Sequence, residues 1–138
     1  MPQRDVYHEA VRTALVKDGW TITHDPLVLP FGERSLRVDL GAQAPVAAER
    51  DGRKIAVEIK SFVGRSEITD LERALGQYAL YSFLLRRQEP ERRLYLAVPE
   101  DTYLSLFDTA EGRDLIIAEA IRLLVFRPLE EMIVLWID

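Results

Sequence analysis

Two charged residues interrupt an otherwise apolar segment, IAVEIKSF, which runs from Ile55 to Phe62. Alternation along a strand places Glu58 and Lys60 on one face and the apolar side chains on the other. A carboxylate and an ammonium on one face suit metal-assisted hydrolysis of a phosphodiester. In that chemistry two carboxylates hold Mg²⁺, and a lysine orients water or stabilises developing charge.

Asp39 is the candidate for the second carboxylate, since it lies in the segment LRVDL, which predicts a preceding strand. The dipeptide Asp51-Gly52 predicts a two-residue hairpin turn that sets the register of the following strand. In that register the odd positions of the earlier strand, Asp39 included, share a face with Glu58 and Lys60. We therefore expect a Mg²⁺ or Mn²⁺ site with Asp39 and Glu58 as ligands and Lys60 beside them.

This site requires a bend in the earlier strand. The hairpin register places Glu58 opposite Pro45, and an unbroken strand would carry Asp39 roughly 20 Å beyond Pro45. Gly41 and Pro45 permit a kink or bulge, because glycine tolerates unusual dihedral angles and proline interrupts the ladder. We expect the Asp39 and Glu58 carboxylates to lie within about 10 Å of each other, since both must reach one metal ion.

Two helical segments supply further candidates. Gln77 and Tyr81 lie four residues apart in ALGQYALY, hence on one helix face, and the glutamine could reach a site on the sheet. Glu9 adjoins apolar residues of the first helix and could be an additional acidic ligand or an exposed surface residue. The Glu-x-Lys spacing is equally compatible with a solvated strand face, so both interpretations remain open from the residues alone.

Composition predicts one globular domain over residues 1–138, with 48% hydrophobic and 30% charged residues. The absence of cysteine excludes disulfides, a thiolate zinc site and a cysteine nucleophile. A net charge of -5 argues against tight nonspecific binding to nucleic acid but allows a local basic groove. Four arginines between a helix and a strand are interpreted as a solvated face: Arg86, Arg87, Arg92 and Arg93. The start lacks a signal-peptide pattern and no apolar run approaches about 20 residues, so we expect a cytoplasmic protein without a membrane span.

Periodicity and turn signals predict the order αββββαβααββ, an α/β (mixed α+β) domain with a central sheet. The predicted elements are helices over 5–17, 67–87, 101–107 and 113–120, and strands over 20–23, 36–40, 94–98, 123–127 and 132–137, with the hairpin around Asp51-Gly52 between them. Ser66 is predicted to cap the long helix.

The set Asp39, Glu58-Ile59-Lys60 and Gln77-x-x-x-Tyr81 resembles the PD-(D/E)XK nuclease superfamily and its RecB-type members. More specifically, YHEAVRTALVKDGWTITHDP, VDLGA, IAVEIKSF and ALGQYALY resemble the XisH family, the fdxN element excision controlling factors, over nearly the whole chain. The resemblance implies a restriction-endonuclease-like central mixed sheet flanked by helices. It also implies a role in excision of a DNA element, with an XisI-like partner. Val38 stands where the superfamily signature has proline, and the 19 positions from Asp39 to Glu58 exceed its usual hairpin spacing.

Two function classes follow from this likeness. The first is a Mg²⁺-dependent DNA endonuclease with Asp39, Glu58 and Lys60 in the site, assisted by Glu9 and Gln77. The second is a catalytically inactive nuclease-fold protein that acts through an XisI-like partner, with a homo-oligomer also compatible. The candidates for a contact surface are three apolar residues of the C-terminal half, for each of which ordinary core burial is the alternative: Phe107, Leu124 and Phe126.

Overall fold

A computed structural model describes residues 5–35 and 45–138. The described strands are β1 (Thr21–His24), β2 (Pro30–Phe31), β3 (Arg34–Ser35), β4 (Val46–Arg50), β5 (Arg53–Ile59), β6 (Arg92–Pro99), β7 (Leu123–Arg127) and β8 (Met132–Ile137). The helices are α1 (His8–Lys17), α2 (Glu67–Gln88), α3 (Glu100–Thr102), which continues as a π-helical segment over Tyr103–Phe107, and α4 (Ala110–Ala118). The predicted mixed α/β class is confirmed, whereas the strand predicted over 36–40 lies outside the described residues.

One six-stranded sheet organises the described part of the chain, in the order β1-β4-β5-β6-β7-β8. The three strands β5, β6 and β7 run parallel to one another, while β4 and β8 pair with them in the antiparallel sense. The carboxyl ends of the parallel strands therefore meet at one edge of the sheet. In open α/β sheets that edge is where ligands bind.

The β4–β5 hairpin turns as the sequence predicts. Asp51 and Gly52 both have positive φ, at 51° and 79°, as a type I′ turn requires. Arg50 consequently faces Arg53, and the pairing continues in register to Val46 opposite Val57. The turn thus fixes which side chains of β5 share a face.

Each face of the sheet carries its own apolar core. On one face, Val11 and Leu15 of α1 pack with Ile55, Val57 and Ile59 of β5. On the other face, the apolar side of α2 packs with Ala56 and with the even-numbered residues of β6: Leu94, Leu96 and Val98. Glu58 has the parity of Ala56, so it faces α2.

The ends of the helices follow capping chemistry. The Ser66 Oγ accepts a hydrogen bond from Thr69 N at 3.2 Å, which confirms the predicted cap of α2. The last helix begins at Ala110 rather than at Arg113, because Thr109 Oγ1 accepts from Gly112 N at 3.0 Å and caps it there. No helix within the described ranges is long and apolar enough to cross a membrane.

The candidate contact residues of the C-terminal half follow the alternative, core burial. Phe107, Leu124 and Phe126 are each 0% exposed, because they fill the two cores beneath the strands and the π-helical segment. They cannot form a contact surface in this fold. The arginine cluster also differs from the prediction, since Arg92 is only 5% exposed.

Candidate functional site

Glu58 and Lys60 lie at the carboxyl end of β5, where the strand still pairs with β6 but no longer pairs with β4. On one side Glu58 pairs with Leu96 of β6, and Lys60 N extends that ladder by donating to Ala97 O at 3.0 Å. On the other side the β4 ladder stops at Val57. Glu58 is therefore the first residue of β5 beyond the end of β4.

The Glu58 carboxyl group is buried without compensation from the described protein. Its residue is 3% exposed, and neither Oε1 nor Oε2 has a hydrogen-bond partner among the described residues. Burial raises the pKa of Glu58 from 4.5 to about 8, while the nearby Lys60 ammonium acts in the opposite direction. Burying two carboxyl oxygens without hydrogen-bond partners costs free energy of folding, which points to a further group that binds them.

Two tyrosines of α2 lie within electrostatic reach of this carboxyl group. Burial raises the pKa of Tyr78 and of Tyr81, and the Glu58 charge raises both further. The Tyr78 hydroxyl donates to Leu94 O at 3.2 Å and accepts from Arg122 N at 3.0 Å, so it ties α2 to β6 and to the start of β7. These rings, 5% and 1% exposed, keep water away from the α2 side of Glu58.

The remaining predicted site residues are placed as follows. Gln77 is half-buried on α2, one residue before Tyr78. Glu9 is exposed on α1, whose buried side chains pack on the face of the sheet opposite Glu58. Asp39 lies outside the described residues, so its convergence with Glu58 stays a prediction, as do the roles of Gln77 and Glu9.

Asp5, which sequence reasoning treated as a helix-end charge, holds the end of β5 in place. Its Oδ2 accepts from Ser61 N at 2.9 Å, directly after Lys60, and its Oδ1 accepts from Tyr7 N at 2.9 Å. The start of α1 is thereby fixed to the strand that carries the Glu-x-Lys pair. No local signal announces this contact, because Asp5 and Ser61 are 56 positions apart.

A strained turn follows Lys60. Phe62 has φ of +56°, a conformation that bulky residues rarely adopt and that costs on the order of 1–3 kcal/mol. Its ring is buried and packs edge-on against Phe107, with centroids 6.3 Å apart. Packing therefore holds the turn that leads from Lys60 into α2.

Charged groups from the other parallel strands occur at the same edge. Glu100, directly after β6, receives two hydrogen bonds from Arg127 at the end of β7, at 3.0 and 3.4 Å. Among the residues in ranges 5–35 and 45–138, no group of three or more Asp, Glu or His side chains is placed to hold a metal ion. The described part of the chain thus contributes one carboxylate, Glu58, and one ammonium, Lys60, to this candidate site.

The comparisons with known proteins agree on one family. The family model described as XisH protein matches residues 1–134. The chain belongs to the XisH family. No match is found among curated proteins.

Two crystal structures resemble this XisH chain over almost its full length. An XisH family protein from Nostoc punctiforme PCC 73102 is 43% identical with a TM-score of 0.87, covering 97% of this chain and 100% of its own. An fdxN element excision controlling factor protein from Anabaena variabilis is 46% identical with a TM-score of 0.88, covering 98% and 100%. The resemblance to the XisH family that the sequence motifs predicted is confirmed.

Proposed function

We propose that this XisH chain controls excision of a DNA element and does so as a metal-dependent nuclease with Glu58 and Lys60 at its site. The observation that carries the proposal is the buried Glu58 carboxyl group without a hydrogen-bond partner in the described residues, with Lys60 on the same face. The Anabaena variabilis relative, named as an excision controlling factor, supports the biological role. Strained backbone at Phe62, directly beside the pair, is typical of functional sites.

The donor chemistry fits Mg²⁺ or Mn²⁺, since both prefer carboxylate oxygens and Glu58 offers two that the described protein does not use. Glu58 would hold the ion together with Asp39. When bound, the ion supplies positive charge at the scissile phosphate.

The protein's own groups complete the site. Glu58 must lose its proton to act as a ligand, and the Lys60 ammonium favours that loss. Lys60 also stabilises negative charge that develops on the phosphate during hydrolysis. Tyr78 and Tyr81 exclude bulk water from the α2 side, which strengthens these electrostatic interactions. We assign assisting roles to Gln77 and Glu9.

Cleavage assays with matched variants test the proposal. Wild type, Glu58→Gln and Lys60→Ala are incubated with single-stranded, double-stranded and branched DNA in the presence of Mg²⁺, Mn²⁺ or EDTA. We expect metal-dependent cleavage by wild type and a loss on the order of 100-fold or more in both variants. Lys17→Ala, at the exposed end of α1, is the control and should cleave as wild type does.

Circular dichroism separates loss of chemistry from loss of fold. Folded Lys60→Ala that still binds Mn²⁺ but no longer cleaves supports the assigned role. Equal background cleavage by all four proteins contradicts the nuclease and favours the second candidate.

The second candidate is a nuclease-fold protein that works through an XisI-like partner. Exposed apolar side chains in the β7–β8 connection and in β8 favour it, above all Leu129, which is 95% exposed. Met132 and Leu135 are 44% and 39% exposed on the edge strand of the sheet. A protein partner that covers this hairpin would remove those side chains from water.

A further inference from the structure

The opposite end of the parallel strands carries a cleft that the nuclease proposal does not use. It has a volume of about 640 Å³ and lies between the second half of α2, the start of β6 and the loop that joins α4 to β7. Among the described residues, four arginines line it: Arg86, Arg92, Arg93 and Arg122. We call it the arginine cleft.

The arginine cleft is separate from Glu58. Arg92 pairs with Lys54 and Leu96 pairs with Glu58, so Arg92 lies four residues from Glu58 along the sheet, about 13 Å. Arg122 lies nearer, because it directly precedes Leu123, the β7 partner of Leu96. The lining of the cleft includes neither Glu58 nor Lys60.

One of the four arginines, Arg92, is buried and held by hydrogen bonds. Arg92 is 5% exposed, with Nη1 donating to Ile55 O at 3.0 Å and Nε donating to Glu89 Oε1 at 3.0 Å. These two bonds fix the guanidinium plane, and the bond to Glu89 is an ion pair that neutralises it. A guanidinium group matches the two oxygens of a phosphate group, so the exposed Arg86 and Arg93 and the half-buried Arg122 are the groups left to meet one.

Two further arginines are available to a ligand. Within the described ranges, neither Arg86 nor Arg122 forms an ion pair with a carboxylate, and the Arg122 side chain lies beside the Tyr78 hydroxyl. Arg93 pairs loosely with Asp138 at 3.8 Å, and both side chains are more than half exposed. Such an exposed pair contributes little and opens readily.

The negative groups at the cleft do not cancel this charge. Glu91 and Glu119 line it and Glu89 pairs with Arg92, so three carboxylates stand against four arginines and one positive charge remains in excess. The last carbonyl groups of α4 are already satisfied, since Ile116 O and Leu115 O accept from Ile121 N and Glu119 N at 3.0 Å. The cleft therefore keeps a positive field in a protein whose net charge is -5.

A second groove extends the basic surface. Its volume is about 460 Å³, and it shares Glu91 and Arg93 with the arginine cleft while adding Arg53 and Lys54. Leu75 and Leu115 supply apolar wall on the other side of the cleft. Successive cations along adjoining grooves, next to an apolar wall, suit consecutive phosphates with a base or sugar attached.

We propose that the arginine cleft binds the phosphate groups of nucleotides, with a nucleic-acid strand continuing into the adjoining groove. This assignment goes beyond the proposed nuclease function, because it needs neither Glu58 nor a metal ion.

Fluorescence anisotropy with a short labelled oligothymidylate, at low salt and in EDTA, tests the assignment. We expect Arg86→Glu to weaken binding about tenfold or more and Arg122→Gln to weaken it less, because the first reverses a charge and the second removes one. Arg87→Glu makes the same charge reversal one position along α2 and is the control, since Arg87 does not line the cleft. Arg86 and Arg122 are chosen instead of Arg92, whose bond to Ile55 O supports the fold.

Competition identifies the source of the phosphate. Displacement by thymidine monophosphate or inorganic phosphate, lost in Arg86→Glu, supports the site as one for nucleotides or small phosphates. Tighter binding of the oligonucleotide than of either supports a strand. Absence of binding, an equal loss in Arg87→Glu, or equal displacement by polyglutamate overturns the assignment. The assay contains EDTA and no metal ion, so failure of the nuclease proposal leaves this result unaffected.

Discussion

At the scale of single residues, Glu58 is the group whose state depends most on its surroundings. In an unfolded chain its carboxyl group is hydrated and ionises at its ordinary pKa of 4.5, whereas burial raises that pKa to about 8 in the folded protein. The folded protein therefore holds this proton more tightly than the unfolded chain. Between these two values, ionisation of Glu58 opposes folding.

Ionisation of Glu58 should consequently lower the free energy of unfolding of the wild type as pH rises from about 4.5 to about 8. Glu58→Gln resembles the protonated side chain and cannot ionise, so it escapes this loss. We expect its stability relative to wild type to improve by a few kcal/mol across that window and to level off above it. Urea unfolding at a series of pH values measures the difference.

The matched control for this experiment is Glu72→Gln, on an exposed position of α2. Solvent screens its charge, so the substitution should change stability little at any pH. A stability difference between Glu58→Gln and wild type that stays constant from acid to alkaline pH would show that Glu58 is not desolvated in the folded protein. Added Mn²⁺ should stabilise wild type and leave Glu58→Gln unchanged if the carboxylate is a ligand.

At the scale of elements, the backbone conformation at a glycine decides whether alanine can replace it without strain. Gly52 closes the β4–β5 hairpin with φ of +79°, while Gly76 lies in the interior of α2 with open space where a Cβ would stand. The same substitution should therefore have opposite effects at the two sites.

Gly52→Ala should lower the free energy of unfolding by about 1–2 kcal/mol, because a Cβ disfavours the left-handed conformation. Gly76→Ala should raise it by about 0.5–1 kcal/mol, because alanine restricts the unfolded chain and favours the helix. Chemical denaturation of both variants beside wild type provides the measurement, and each variant serves as the control for the other. Effects of the same sign would contradict either the turn or the helix.

The elements themselves were largely predictable because their signals are local. Alternation identifies β5, the Asp51-Gly52 pair sets its register, and Ser66 marks the start of α2. The predicted start of a helix was wrong where its capping residue was not recognised. Thr109 caps α4, so this helix begins earlier than predicted. The contact of Asp5 with Ser61 joins two elements and had no such signal.

At the scale of the whole molecule, the two ends of the parallel strands differ in chemistry. The carboxyl ends carry Glu58 and Lys60, and the amino ends carry the arginine cleft. The edge strand β8 adds a third surface, apolar rather than charged. This is the surface that we propose for a protein partner, since Phe107, Leu124 and Phe126 are buried.

We expect an XisI-like protein to bind through the β7–β8 hairpin. The double variant Leu129→Asp and Met132→Asp should remain folded, because both side chains are exposed, and should lose the complex with the partner. Size-exclusion chromatography at micromolar concentration measures the complex. The control is Ile117→Asp, which places a charge on an equally apolar but separate position of α4, 78% exposed.

A complex that survives the double variant would place the partner elsewhere on the molecule. Absence of any complex with wild type would count against an XisI-like partner altogether. Equal loss in the Ile117→Asp control would show that added negative charge, rather than the hairpin, governs binding.

By itself, the sequence determined the mixed α/β class, the hairpin register and the shared face of Glu58 and Lys60, because side-chain alternation and turn geometry act between near neighbours. Its motifs also carried the resemblance to the XisH family. Tertiary structure decided which charges lose their water. Glu58 is buried because α2 packs over β5, and Arg92 is buried at the start of β6, where Ile55 O and Glu89 accept its hydrogen bonds and offset the loss of water. Burial is a property of distant segments brought together, so no local pattern in the chain could report it.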